Sequence, residues 1–237
     1  MVDFFRPTSY AVMVSPDLKH AWINIPKNAS SFVQKVLDDN GWTMCHTDDL
    51  VDGILSAHTI KKIVVLRDPI ERWISGFAQC MSDPSHMGGA EFDTPHKEIL
   101  ELLDNHAFWH TIRLNPVFDD HTEYQHRFID AAQNVKYIYM QSRNQGNVIA
   151  DPNRFYRDLT EYVRWTGGTS DFQHWGLDPN RQHWEQLVNP AENSTDKIAI
   201  YNKLRAIIKE NKDYYNILKN AHSQDFDLYN TLTKFKT

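Results

Sequence analysis

A chain of 237 residues with 41% hydrophobic and 12% aromatic content is long enough for one substantial α/β domain and too apolar to be disordered. Its 25 basic and 31 acidic residues leave a net charge of −6, which argues against a general polyanion binder, nucleic acid included, but leaves room for a local basic pocket. Only Cys45 and Cys80 are present, so no disulfide framework is expected, and no apolar run approaches the ~18–20 residues of a membrane span. Asp3 and Pro7 stand where a signal peptide would be basic and then apolar, which makes a cytoplasmic setting the expectation.

In chain order, Tyr10 to Val14 reads as a strand, Ser15-Pro16-Asp17 as a turn, and His20 to Ile25 as the core strand that follows. Pro26-Lys27-Asn28-Ala29 is then a tight turn into a helix opening at Ser30 or Ser31, continued by Val33, Val36 and Leu37 and closed by Asn40-Gly41. A short strand through Trp42 to Cys45 ends at His46. Thr47 or Asp48 caps a helix through Leu50, Val51, Ile54 and Leu55. Lys62 to Leu66 is a β-branched run of the kind found in buried parallel strands, ending in Arg67-Asp68-Pro69 with a helix beyond. Strand, loop and helix three times over predict a parallel sheet with crossover helices.

Residues 81–118 read as a cap or acceptor-site insertion containing one helix from about Lys97 to Ile112. His106 and His110 are four apart there, and without further ligands at metal spacing they read as surface histidines. Asp119 or Asp120 caps a helix with His121 in its first turn, and Val135 to Met140 is a last central strand. An amphipathic helix covers Phe155 to Trp165, residues 169–193 take no assignment, and helices fill 194–237. Nothing splits the chain, so a single domain over residues 1–237 is expected, with its nucleotide-binding core at about 20–80 and 134–165.

Two stretches carry chemistry. Strand, turn and helix N-terminus around Lys27-Asn28-Ala29-Ser30-Ser31 combine free backbone N–H groups, a helix dipole, one lysine and two hydroxyls, which together make an anion cradle. Arg67 stands at the carboxyl end of its strand, where open α/β sheets bind ligands, and Ser75 follows two turns into the next helix. Lys-x-x-Ser-Ser and Arg-Asp-Pro-x-x-Arg-x-x-Ser, in this order, resemble the two nucleotide signatures of the sulfotransferases that use 3′-phosphoadenosine 5′-phosphosulfate (PAPS). The likeness is strongest over residues 20–80. It implies a P-loop-NTPase-like three-layer α/β/α fold with a central parallel sheet and a helical or loop cap. It also implies that Pro26 to Phe32 hold the 5′-phosphosulfate, that Arg67 and Ser75 hold the 3′-phosphate, and that Phe32 stacks on adenine. A core role for Phe32 is the equal alternative, and Trp73 reads as core packing.

The implied reaction moves a sulfuryl group from PAPS to a hydroxyl or amine acceptor, a carbohydrate among the options, and leaves 3′-phosphoadenosine 5′-phosphate (PAP). Lys27 is the residue for the bridging oxygen, and the scheme needs no metal. As general base, His46 ranks first because the family's cytosolic members carry a histidine at that strand end. His121, which with Gln125 resembles a His-x-x-x-Gln segment of carbohydrate sulfotransferases, ranks second, and His58 is a distant third. Two other classes stay open: a nucleotide kinase, opposed by the missing Gly-rich loop, and a non-catalytic nucleotide- or carbohydrate-binding module on the same fold.

Overall fold

The computed structural model describes residues 11–82, 96–140, 155, 157–159, 161–162 and 195–234. The chain gathers into two compact units, each with its own core; it passes from the first to the second between Arg67 and Asp68 and returns to the first between Tyr124 and Gln125.

The first unit is built on a five-stranded sheet of order β3-β1-β2-β4-β5, with β1 at Val12–Val14, β2 at His20–Ile23, β3 at Thr43–Cys45, β4 at Lys61–Arg67 and β5 at Val135–Met140. β2, β4 and β5 are parallel, as expected, but β1 runs antiparallel to both its neighbours. The cause is local. The Ser15 N–H donates to the His20 carbonyl at 2.9 Å, the His20 N–H returns to the Ser15 hydroxyl at 3.0 Å, and Asp17 Oδ1 accepts the Lys19 N–H at 3.1 Å. A reversal this tight can only join antiparallel strands, since parallel ones need a crossover. The sheet is therefore mixed, not parallel throughout.

β4 is buried from Lys62 to Arg67, the two-sided burial that its unbroken apolar run dictates. β5 alternates between more and less buried positions and pairs only with β4 among the described residues, so it is an edge strand instead of a central one. Helix α1 (Ser30–Asp39) lays Val33, Val36 and Leu37 against Trp22 and Ile63. It stops where Gly41 takes φ 76°, allowing the Trp42 N–H to reach the Leu37 carbonyl at 3.0 Å. Helix α2 (Asp48–Ser56) buries Val51, Ile54 and Leu55.

In the second unit, α3 (Pro69–Ser82) is buried at every position from Pro69 to Met81 except Glu71, and the other helices wrap it. Asp68 starts it: Oδ1 accepts the N–H groups of Ile70 and Glu71, both at 3.0 Å, with Pro69 at the first helical position. The single helix expected over 97–112 is two, α4 (His96–Leu102) and α5 (His106–Leu114), because the Asn105 side chain caps the second by accepting the Ala107 N–H at 2.9 Å. Three more follow: α6 (Thr195–Glu210), α7 (Lys212–Ala221) and α8 (Ser223–Lys234). Trp109 stacks on Tyr214 with ring centroids 4.3 Å apart. Glu71 accepts from the Tyr201 hydroxyl at 2.6 Å and from Arg205 Nε at 3.0 Å. Among the described residues no helix is long and apolar enough to cross a membrane. The expected helix around Asp119 to Ile129 is instead a turn followed by a short 3-10 helix, Gln125–Phe128, which belongs to the first unit.

Candidate functional site

The loop after β2 adopts a conformation that its sequence alone would disfavour. Lys27 has φ 67° and Ala29 φ 58°, both left-handed, with Asn28 between them. Without glycine, each such residue costs roughly 1–2 kcal/mol. The Asn28 N–H between them donates to the Ile25 carbonyl at 3.3 Å and closes the turn that leads into α1. Ala29 is the residue before α1, has no side chain to cap it, and no acidic residue stands in the first turn. Neither a capping side chain nor a first-turn acid offsets the dipole at this end. Pro26 and Asn28 are buried, Lys27, Ala29 and Ser30 half-buried, and Ser31 exposed.

Arg67, 1% exposed, reaches back to this loop: Nη1 donates to the Lys27 carbonyl at 3.1 Å. Asn28 Nδ2 donates to the Val65 carbonyl and to Gln125 Oε1, both at 2.7 Å. Gln125 Oε1 also accepts the Arg67 N–H at 3.1 Å, and its Nε2 donates to the Arg67 carbonyl at 3.0 Å. One glutamine therefore joins the loop to the end of β4. Sequence reading noticed Gln125 only through its spacing from His121 and gave it no place in the site. Asn28 Oδ1 is buried and makes no hydrogen bond.

Phe32 is half-buried and packs at the edge of the first unit's core, its ring centroid 6.3 Å from that of Phe155. His46 is exposed at the carboxyl end of β3. Cys45 pairs with Val12, which pairs with Ile23, so His46 stands on the same sheet edge as the loop, two strand spacings or ~10 Å across. His58 precedes the amino end of β4, away from Arg67, and is exposed.

The remaining candidates belong to the second unit. Ser75 is buried in α3, and Trp73 is core, its Nε1 donating to the Pro116 carbonyl at 2.7 Å. Arg72, also buried, donates through Nη2 to the Asp120 carbonyl at 3.1 Å and through Nη1 to that of Glu123, so this motif arginine holds backbone. His121 carries its Nδ1 2.7 Å from Asp119 Oδ2. Burial works against charge on Asp119, but hydrogen bonds from His121 and Cys80 and the nearby imidazole outweigh it and hold the carboxyl below its usual range. His106 and His110 are exposed on α5, with His106 Nδ1 3.2 Å from the Tyr214 hydroxyl.

Parts of the expected cap and the unassigned 169–193 stretch lie outside the described residues. Comparison with protein-family models, with curated proteins and with solved structures finds no match for this chain.

Proposed function

We propose that this chain is a sulfotransferase that uses PAPS, built on a P-loop-NTPase-like core. The observation that carries the reading is the strained, uncapped turn into α1, with its lysine, two hydroxyls and an arginine bound to its backbone. Strain at a non-glycine loop persists where surrounding structure over-determines it, and functional sites are where it collects.

In this reading the N–H groups of the turn and the hydroxyls of Ser30 and Ser31 hold the 5′-phosphosulfate. Lys27 neutralises the charge that grows on the bridging oxygen as the S–O bond breaks. Arg67 supplies a fork for the 3′-phosphate, with Ser75 entering on the motif resemblance alone. Phe32 offers a face for adenine. The sulfuryl group passes in line to the acceptor oxygen or nitrogen, whose proton is taken by the base, and PAP leaves. Positioning and charge stabilisation supply most of the rate. His46 is the base by its place on the loop's own sheet edge. His121 is the second candidate, and the Asp119 carboxylate that orients its ring is the case for it. A cytoplasmic setting and a small-molecule or glycan acceptor belong with the same reading.

Thermal unfolding with PAP, adenosine 5′-phosphate and ATP-Mg²⁺ tests it. PAP raises the melting temperature and adenosine 5′-phosphate does so far less, since losing charge-assisted contacts to the 3′-phosphate costs ~1.5–3 kcal/mol. A response to ATP-Mg²⁺ alone would transfer the assignment to a kinase. Labelled sulfate transfer to an acceptor panel separates an enzyme from a non-catalytic binding module.

A further inference from the structure

Helix α3 receives the 119–123 segment along one stripe, Arg72, Gly76 and Cys80, each one turn from the next. Arg72 grips the carbonyls of Asp120 and Glu123. At Gly76 the approach is so close that an added Cβ would stand 2.1 Å from the His121 carbonyl oxygen. The third position of the stripe is a cysteine, and donor atoms of Cys80, Asp119 and His121 all lie within 4.8 Å of one another.

Asp119 divides its two oxygens between different tasks. Oδ1 accepts the N–H groups of His121 at 2.9 Å and Thr122 at 3.2 Å and faces the Thr122 hydroxyl at 3.3 Å. Oδ2 faces the imidazole at 2.7 Å. A carboxylate with one oxygen fixed by outer hydrogen bonds and the other turned to a histidine, with a thiol also hydrogen-bonded to the group, is the form of a preoriented monodentate ligand. Cys80 is fully buried, while the side chains of His121 and Asp119 are 24% and 17% exposed, so an ion has a way in from the Asp–His side.

We propose that Cys80, Asp119 and His121 form a site for one borderline-soft divalent cation, Zn²⁺ being the ion that fits a thiolate, an imidazole and a carboxylate with a fourth, open position. Sulfur and nitrogen donors together disfavour Mg²⁺ and Ca²⁺, which take oxygen. On binding, the Cys80 thiol proton leaves to solvent as the S–Zn bond forms, the proton on His121 Nδ1 also leaves to solvent while the neutral ring carries its proton on Nε2, and the short Asp119–His121 hydrogen bond gives way to two metal bonds. Tetrahedral ligands at ~2.0–2.1 Å from zinc stand ~3.3 Å apart, so the pair opens by about half an ångström. The ion ties α3 to the 119–123 segment. This inference does not rest on the transferase reading, and it gives His121 a role that leaves His46 as the base there.

Cobalt titration of the full chain after chelator treatment reads the site directly, because a thiolate ligand gives Co²⁺ a charge-transfer band that no oxygen or nitrogen donor set gives. One equivalent should produce that band, and Zn²⁺ should displace it. Cys80→Ser should abolish the band while Cys45→Ser, the only other cysteine, retains it, and the near-isosteric Asp119→Asn should weaken Co²⁺ by ten-fold or more. Absence of the band in the unsubstituted chain, or its survival in Cys80→Ser, overturns the proposal. Should Cys80→Ser fail to fold, loss of the band in Cys45→Ser, or unchanged affinity in Asp119→Asn, overturns it independently.

Discussion

Gln125 meets Arg67 twice, accepting its N–H at 3.1 Å and donating to its carbonyl at 3.0 Å, as a neighbouring strand would. The same side chain takes the Asn28 amide, so a single residue occupies the end of β4 beyond its last pair with β2 and fastens the loop after β2. Gln125 is 1% exposed, and deleting it leaves several buried polar groups without partners. Gln125→Leu should cost ~1–3 kcal/mol in denaturant unfolding. Gln125→Glu keeps the acceptor but loses the donor to Arg67, so it should be no milder at neutral pH. Stability equal to the parent in both variants would remove Gln125 from this role.

Gly76 and Gly53 make an internal comparison. An added Cβ at Gly76 meets backbone at 2.1 Å, whereas at Gly53, inside α2, it meets nothing within 4 Å. Gly76→Ala should lose ~1–3 kcal/mol or more, because the obstructing atom is a main-chain oxygen that cannot turn aside. Gly53→Ala should gain ~0.5–1 kcal/mol from helix propensity. Chemical denaturation of both checks the opposite signs.

His20 gives the fold a pH dependence. Its ring is buried at 5% exposure with neither nitrogen hydrogen-bonded, and burial, only partly offset by Asp17, holds its pKa below the ordinary 6.5. The unfolded chain therefore takes up this proton before the folded one does. The contribution to stability is complete above pH ~6.5 and is lost as pH falls toward the folded value, at a slope approaching ~1.4 kcal/mol per pH unit. His20→Phe should flatten that part of the stability profile between pH 7 and 5. An unchanged slope would assign the effect to other groups.

If the chain is the proposed sulfotransferase, Lys27 and His46 should separate by role. Lys27→Ala should depress turnover by ~10²–10³ while PAP affinity changes far less, because the best contact of the ammonium exists only in the transition state. His46→Ala should leave PAP binding nearly intact and abolish a rate-limiting ionisation with an alcohol acceptor. Calorimetry beside kinetics from about pH 5.5 to 9 checks both. Survival of the ionisation in His46→Ala would remove His46 as the base.

Elements whose causes are local were legible in the sequence. The β-branched run Lys62 to Leu66 marked a buried strand, Pro69 marked the start of α3, and Asn40-Gly41 marked the end of α1. What was not legible depends on side-chain hydrogen bonds and on contacts between distant residues. The turn at Ser15-Pro16-Asp17 was read, but the antiparallel pairing of β1 with β3 joins residues about 30 apart and does not appear in a hydrophobic pattern. Asn105 broke an apparently continuous helical period because a side-chain cap outcompetes one turn of helix. At the site, Lys27 and Arg67 could be named from their motifs, but the hydrogen bond from Arg67 to the Lys27 carbonyl could not. Gln125 and the convergence of Cys80 with Asp119 span tens of residues and leave no periodic trace.

α1 and α3 begin in opposite ways. Asp68 closes the start of α3 with two hydrogen bonds, whereas α1 begins at a strained Ala29 with no cap. An N-cap contributes ~1 kcal/mol, and the chain forgoes it at the one helix end that, in the proposed function, faces the nucleotide. In that reading the ligand would do what a serine or aspartate does elsewhere, and mass action would tie the folded population to ligand supply. In a cell, such a protein would turn over faster when its nucleotide runs short, so its abundance would follow the metabolite without any dedicated regulator.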